Sequence, residues 1–585
     1  MQLDLKITGG LVVDGSGGEP YRADVGIAGG KIVAIGELTQ AATRVVDAQG
    51  CIVTPGFVDI HTHYDGQATW DADLLPSAAH GVTTCVMGSC GVGFAPVRPQ
   101  DRDRLIKLFE GVEDIPGTAL AEGIQWRWES FEEYMDAVDF GHTMDIVTQV
   151  THDALRIYAM GDRALAGELA TDEDLQMMKG LLRQALQAGA AGFSTGRTDN
   201  HRAADGSATP ASEANHRELR TLAEAFEGLN HGVLQAVSDF DMERSPEAFD
   251  GEFDVLEQWI AGAPGHGVSI SLMQRDLVPT QYQQILKRAE ALAENGVNIR
   301  VQVAPRGIGI LIGLEATFHP FIGHPSYKKI AHLSLAERVA AMREPAFRAQ
   351  LLTERSEPVA GDGSPIPPLV DRLLGAIDMI AGRIFRLGDN PNYEPTVQES
   401  LRADALRQGR PTLEVIYDAL LEQEGKELLY FPLYNYMGGN LEAVSEMLHH
   451  PLALPGLGDG GAHVGTICDA SMPTFLLLYW TRDRAKDQLP LARAVRLLTR
   501  ETAEFLGLRD RGLLALGLKA DVNVIDLQHL RLFRPRLVQD LPAGGKRLLQ
   551  DSAGYRATVV SGEVVSENGQ LTGARPGRVV RVGVA

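Results

Sequence analysis

The stretch Pro55-Gly56-Phe57-Val58-Asp59-Ile60-His61-Thr62-His63-Tyr64-Asp65 decides how the rest of the chain is read. A short apolar, β-branched run breaks off into two histidines spaced i, i+2. Alternate side chains of a strand share a face, so His61 and His63 project together. Two imidazoles on one face, at the end of a buried strand, are placed to chelate a transition metal. The rival reading is a pair of histidines in a wet strand-end loop, which is common for so short a motif. The surroundings of the pair have to decide.

Outward from this stretch, apolar strands alternate with helical text, the α/β pattern. The strand candidates are Val58–Tyr64, Val82–Gly88, Asp145–His152, Ala191–Gly196, Gly232–Asp239, Gly267–Gln274, Val297–Pro305 and Leu454–Gly460. Helical stretches such as Asp172–Ala188 and Pro279–Glu294 lie between them. Eight such units predict a (β/α)8 barrel, which carries its chemistry where the strands end; a doubly wound sheet is the alternative on pattern alone. Two connections are long, 92–142 after the second strand and 306–450 after the seventh. Long excursions at the catalytic end of a barrel are lids or substrate walls.

Residues 1–54 read as short strands with Gly-Gly punctuation, and the pattern returns in Gly512–Leu518, Ala520–Asp526, Ala557–Val560 and Glu563–Val565. Neither end is long enough for a comfortable sandwich alone. The expected division is therefore a composite β-sandwich domain from 1–54 plus 508–585, with the catalytic barrel at 55–507 carrying the 306–450 insertion.

The 585 residues carry a formal net charge of −23, which argues against a nucleic-acid partner. Only four cysteines occur in so long a chain, which fits a reducing compartment rather than a disulfide framework. No transmembrane run and no secretory signal are legible. These features predict a soluble, cytoplasmic protein acting on a small molecule, with no membrane partner and with a homo-oligomer left open.

Polar residues gather at the predicted strand ends. Cys90 follows the second strand in Gly88-Ser89-Cys90-Gly91, His152 ends the third, Asp239 ends the fifth, and Asp459 ends the eighth in Gly458-Asp459-Gly460-Gly461-Ala462-His463. With Thr151–Arg156, Gly192-Phe193-Ser194-Thr195-Gly196 and Gly517–Asp521, these segments resemble the amidohydrolase superfamily, and within it the N-acyl-D-amino-acid deacylases. Ser194–Asp205 and Ile467–Ser471 resemble a longer-chain branch.

The resemblance implies a zinc hydrolase cleaving a linear amide C–N bond by metal-activated water. His61, His63 and Asp459 match the superfamily's metal-site residues, and Cys90 matches the cysteine ligand of the deacylases. In the deacylases, histidines on strands five and six complete the metal site; Val237 and Leu272 stand in the corresponding register here, and Gln274 stands where a basic residue meets the substrate carboxylate. The expectation is one zinc on His61, His63, Cys90 and Asp459, with two left open. Asp459 is also the expected proton shuttle. His152 is the second expected catalytic residue, and Arg275, Arg197, His201 and His463 are the expected substrate contacts. Two alternatives are a cyclic amide, imide, ester or lactone hydrolase on the same barrel, and a barrel that binds a small molecule without cleaving it.

Overall fold

The structure is a computed structural model and describes residues 2–240, 245–360, 366 and 368–584. Its centre is a ring of parallel strands: β1 (Phe57–Asp59), β2 (Val82–Met87), β3 (Asp145–Thr148, resumed at Val150–Thr151), β4 (Gly192–Arg197), β5 (Val233–Ser238), β6 (Gly267–Leu272), β7 (Ile299–Val303) and β8 (Ala453–Pro455). Adjacent strands pair from β1 to β3 and from the resumed β3 to β8. The break in β3 is bridged by the Gln149 N–H, which donates to the Met87 carbonyl at 3.0 Å. Thr62 bridges Gly460 in parallel, and the His63 N–H donates to the Gly460 carbonyl at 2.8 Å, so β8 closes on β1. The ring is a (β/α)8 barrel, and every barrel strand expected from the sequence is present, although β1 and β8 each end five residues earlier than expected, before His61, His63 and Asp459. Nearly every strand residue is buried, as expected of parallel strands covered on both faces.

The outer helices form for local reasons. In Asp172–Ala188 the Thr171 side chain and the Asp174 carboxylate make a reciprocal capping box, and Gly189 ends the helix at φ 110. Leu175, Met178, Leu182, Ala185 and Leu186 form its buried stripe, at helical spacing.

The termini meet in one nine-stranded sheet. Ile52–Pro55, just before β1, lies between Leu3–Val12 and the antiparallel Val522–Ile525. Side chains from both ends, among them Ile7, Val25, Ile32, Val53, Val524 and Val559, share one core. Gly512–Leu518, expected to be a strand, contains only bends and turns, and a single bridge follows it at Lys519. Leu514 instead packs into that core from a loop.

The 92–142 excursion folds as the helices Arg102–Glu113, Gly117–Gly123 and Phe131–Val138. The 306–450 insertion has its own hydrophobic core, gathered around the antiparallel pair Ile308–Ile312 and Leu429–Tyr434. Both excursions reach the C-terminal mouth of the barrel. The Asp114 carboxylate accepts from Thr317 and from Thr466, tying the two together.

Candidate metal centre and active site

The mouth of the barrel encloses a cavity of about 240 Å³ that reaches His61, His63, Cys90 and Asp459. One donor atom each from His61, His63 and Cys90 lies within 4.8 Å of the others, and all three residues are buried. The i, i+2 spacing does what strand geometry requires: both imidazoles leave the end of β1 toward the same space. Cys90 is brought there by a tight turn in which Cys90 itself has φ 55. Glycine is required beside it. A Cβ on Gly91, which has φ 81, would meet the Gly196 backbone nitrogen at 2.6 Å.

His61 is aimed from behind. Its Nδ1 lies 2.7 Å from Gln302 Oε1 on β7, and Gln302 Nε2 in turn donates to the Ser269 hydroxyl at 3.0 Å. A proton on Nδ1 leaves the Nε2 lone pair facing Cys90 Sγ, 3.2 Å away, and Asp459 Oδ1, 3.4 Å away. Burial lowers the His61 pKa to about 4, so the ring is a neutral ligand. Burial raises the Cys90 thiol to about 12, opposed by His63; a bound divalent cation would deprotonate it outright.

Asp459 sits in the loop after β8 at φ 45, beyond the strand in which the sequence placed it. Its Oδ1 is 3.7 Å from His63 Nε2. Burial opposes its charge, yet His63, His61 and His463 together hold the carboxyl well below the usual range.

Glu113 is the residue that sequence reasoning missed. It ends the helix Arg102–Glu113 with both carboxylate oxygens buried, and Oε1 lies 3.0 Å from His63 Nδ1. Neither oxygen, and neither ring nitrogen of His63, has an aligned hydrogen-bond partner among the described residues. Burial raises the Glu113 pKa to about 8, opposed by His63. Burial lowers that of His63, but Glu113, Cys90 and Asp459 more than reverse it. So many orphaned buried donors and acceptors around one point fit a cation that would satisfy them together. The signal was an acid on an apolar stripe: Ile106, Phe109 and Glu113 share one helical face.

Of the expected substrate contacts, Arg275, His201 and His463 line the cavity. Arg275 donates to the Ser238 carbonyl at 2.6 Å and lies 5.9 Å from the Phe240 ring centroid. Burial lowers the pKa of His201 to about 3 and of His463 to about 4, so both are neutral. His463 Nε2 is 3.8 Å from Glu113 Oε2.

Two of the expected site residues, His152 and Arg197, lie outside the cavity lining. His152 does not end β3 facing the site; it opens the helix His152–Met160. Its Nδ1 is 2.9 Å from the Thr195 hydroxyl and its Nε2 is 2.8 Å from Glu218, which also pairs with Arg156. Both ring nitrogens are thus engaged away from the cavity lining. Arg197 is likewise taken, by Glu252 through Nε and Nη2 and by the Ala214 carbonyl at 2.6 Å. At the strand-five and strand-six positions, Val237 lines the cavity while Leu272 is fully buried and Met273 lines it instead. Gln274 holds the insertion, donating its backbone N–H to Asn435 at 2.7 Å and accepting from the Met437 N–H at 3.1 Å. None of the barrel strands carries a lysine.

Residues 44–566 match the amidohydrolase family along most of the chain. The chain belongs to the amidohydrolase family. Over 195 residues it is 38% identical to the D-aminoacylase of Alcaligenes xylosoxydans xylosoxydans; the matched segment is 33% of this chain and 37% of that relative. Two solved structures align over 99% of this chain and the whole of their own. One is a D-aminoacylase, at TM-score 0.63 and 22% identity. The other is the N-acyl-D-glutamate deacylase of Bordetella bronchiseptica, solved with zinc and a phosphonate mimic of the tetrahedral intermediate, at TM-score 0.62 and 25% identity. These likenesses establish the fold of this amidohydrolase, a barrel with a β-sandwich domain. Among the described residues no helix is long and apolar enough to cross a membrane.

Proposed function

We propose that this amidohydrolase removes the acyl group from N-acyl amino acids, the D series first, by zinc-dependent hydrolysis of the amide bond. The observation that carries the reading is one cavity holding the His61, His63 and Cys90 donors, the Asp459 carboxylate and the Arg275 cation. The similarity to a D-aminoacylase supports the choice of substrate.

One zinc would be held by His61, His63, Cys90 and Asp459, a mixed nitrogen, sulfur and oxygen set that suits that metal. Zinc bound there supplies Lewis acidity and brings the pKa of attacking water down to about 7. Asp459 takes the proton from the attacking water and passes it to the departing amine, a transfer worth about 10²–10⁴-fold. His463, neutral and facing the cavity, offers an N–H to the oxygen on which negative charge develops. Arg275 grips the carboxylate of the amino-acid half and orients the amide. Gln302 and Glu113 steady the two imidazoles. On the shared sheet, residues 1–54 and 508–585 are read as one domain supporting the barrel.

The test is zinc per chain in protein purified without chelator, followed by a substrate panel. N-acyl-D- and L-amino acids, hydantoins, imides and lactones make up the panel. About one zinc and cleavage confined to N-acyl amino acids is the expected result. Less than a tenth of an equivalent of any transition metal, or turnover of the cyclic substrates alone, would overturn it.

A further inference from the structure

The barrel supplies the polar part of the cavity, but the 306–450 insertion supplies most of an apolar one. Ile308 and Ile310 lie two apart on one strand and so present the same face to the cavity, and Leu433 joins them from the partner strand. Phe318, Val370 and Leu373 complete that wall. Behind it, Ile310 and Phe318 pack into the insertion's own core, so the wall is backed by close-packed side chains. Ile308 also packs with Met273 and Leu457 at the rim of the barrel.

The two halves of the cavity differ in chemistry. Ser238, Asp239 and Arg275, at the ends of β5 and β6, give it a polar flank in which Arg275 is the cation for the carboxylate of an N-acyl amino acid. An acyl group pointing away from that flank would meet Asp459, Ile467 and the insertion, which line the rest of the same cavity. An acetyl group would leave that wall untouched and wet, and an enclosed apolar surface of this kind is a binding surface by default.

We propose that the acyl group is a long unbranched apolar chain, and that the insertion forms its channel. The proposal rests on the amide-hydrolase reading and narrows it to lipid-like N-acyl amino acids. Alanine is the informative amine half, because its methyl side chain is too small to reach the wall. Each methylene buried along the channel raises kcat/KM roughly fourfold until the wall is covered.

The experiment takes the zinc-loaded enzyme and N-acyl-D- and L-alanines with acetyl, butanoyl, hexanoyl, octanoyl and decanoyl groups. The expected profile climbs steeply from acetyl to octanoyl, and Ile310→Trp or Val370→Trp moves its maximum to shorter chains. Acetyl turnover equal to or above octanoyl turnover overturns the proposal. Calorimetry with octanoate and acetate gives an answer free of turnover: octanoate binds at least tenfold tighter if the channel is real. Octanoate bound with no amide cleaved sinks the amide-hydrolase reading alone. No preference for octanoate over acetate overturns the channel.

Discussion

His63 Nδ1 lies 3.0 Å from the Glu113 carboxylate, and the pair is about 1% exposed on both sides. A carboxylate behind a ligating imidazole raises its basicity and fixes its orientation, and such partners are commonly worth 10–100-fold in metal affinity. With a divalent cation bound to draw off their protons, Glu113 would add a negative charge beside those of Cys90 and Asp459. Glu113→Gln keeps the shape and removes the charge. Its zinc affinity, measured by competition with a chromogenic chelator, is expected to fall 10–100-fold while far-UV circular dichroism stays unchanged. Unchanged affinity would remove Glu113 from the metal's support.

Cys90 is the soft donor of the set, and Cys90→Ser tests whether sulfur is needed. Serine is nearly isosteric, so the left-handed turn at this position is preserved, but a neutral hydroxyl is a poor substitute for a thiolate. Cobalt-loaded enzyme is expected to show thiolate-to-metal charge-transfer absorption that the variant lacks, and the variant is expected to keep under a tenth of an equivalent of zinc after dialysis. A variant that retains full zinc would leave Cys90 a packing residue.

Asp459 has two expected duties, ligand and proton carrier, and Asp459→Asn separates them when metal content and turnover are read together. An amide oxygen can still approach a cation but cannot carry the water's proton. Turnover is expected to fall about 10²–10⁴-fold with zinc still bound. Retained turnover would sink the shuttle role, and loss of zinc would assign Asp459 mainly to metal binding.

The two arginines that the sequence placed alike are predicted to behave differently. Arg275 lines the cavity, so Arg275→Met is expected to raise KM tenfold or more for N-acyl amino acids with a smaller change in kcat. Arg197 is paired with Glu252, and both side chains are 7% exposed. Arg197→Met leaves the Glu252 carboxylate buried without that partner, a loss of about 3–5 kcal/mol. It is expected to lower the melting temperature, with kinetic constants of the folded fraction near wild type. The reverse pattern would exchange their roles.

Much of this division was legible in the chain and some was not. The barrel could be read because parallel strands buried on both faces are continuous apolar runs, and the metal pair because a strand's period of two is invariant. Asp459 and Cys90 were found through local motifs, Gly458–His463 and Gly88–Gly91. His152 stands one residue past β3, and whether that residue continues the strand or opens a helix is not fixed by a local pattern. Glu113 shows in the sequence only as an acid on an apolar stripe, because its neighbour His63 is fifty residues away and only the packing of the 92–142 helices against the barrel mouth joins them. The apolar wall was hidden for the same reason. Its residues are ordinary core text until the insertion folds over the site.

Asp145, at the start of β3, connects the barrel to the C-terminal part of the chain. Its Oδ2 lies 2.5 Å from Arg511 Nη1 and 3.0 Å from Lys519 Nζ, and its Oδ1 accepts the Arg578 N–H at 3.0 Å. Burial raises the pKa of this carboxyl, but Arg511 and Lys519 outweigh it and leave the folded value below the usual 3.8. A depressed carboxyl binds fewer protons folded than unfolded, so its contribution is complete above the unfolded pKa and is lost as pH falls through the folded one. Removing the carboxylate takes one partner from Arg511, which keeps Asp510 at 2.9 and 3.1 Å, a loss of about 1.5–3 kcal/mol near neutral pH. Asp145→Asn is therefore expected to melt well below wild type at pH 7, and the gap is expected to narrow as the pH is lowered past 4. Thermal unfolding followed by circular dichroism from pH 7 to pH 3 checks this. A gap that stays constant across that range would show that the charge of Asp145 does not hold the two parts together.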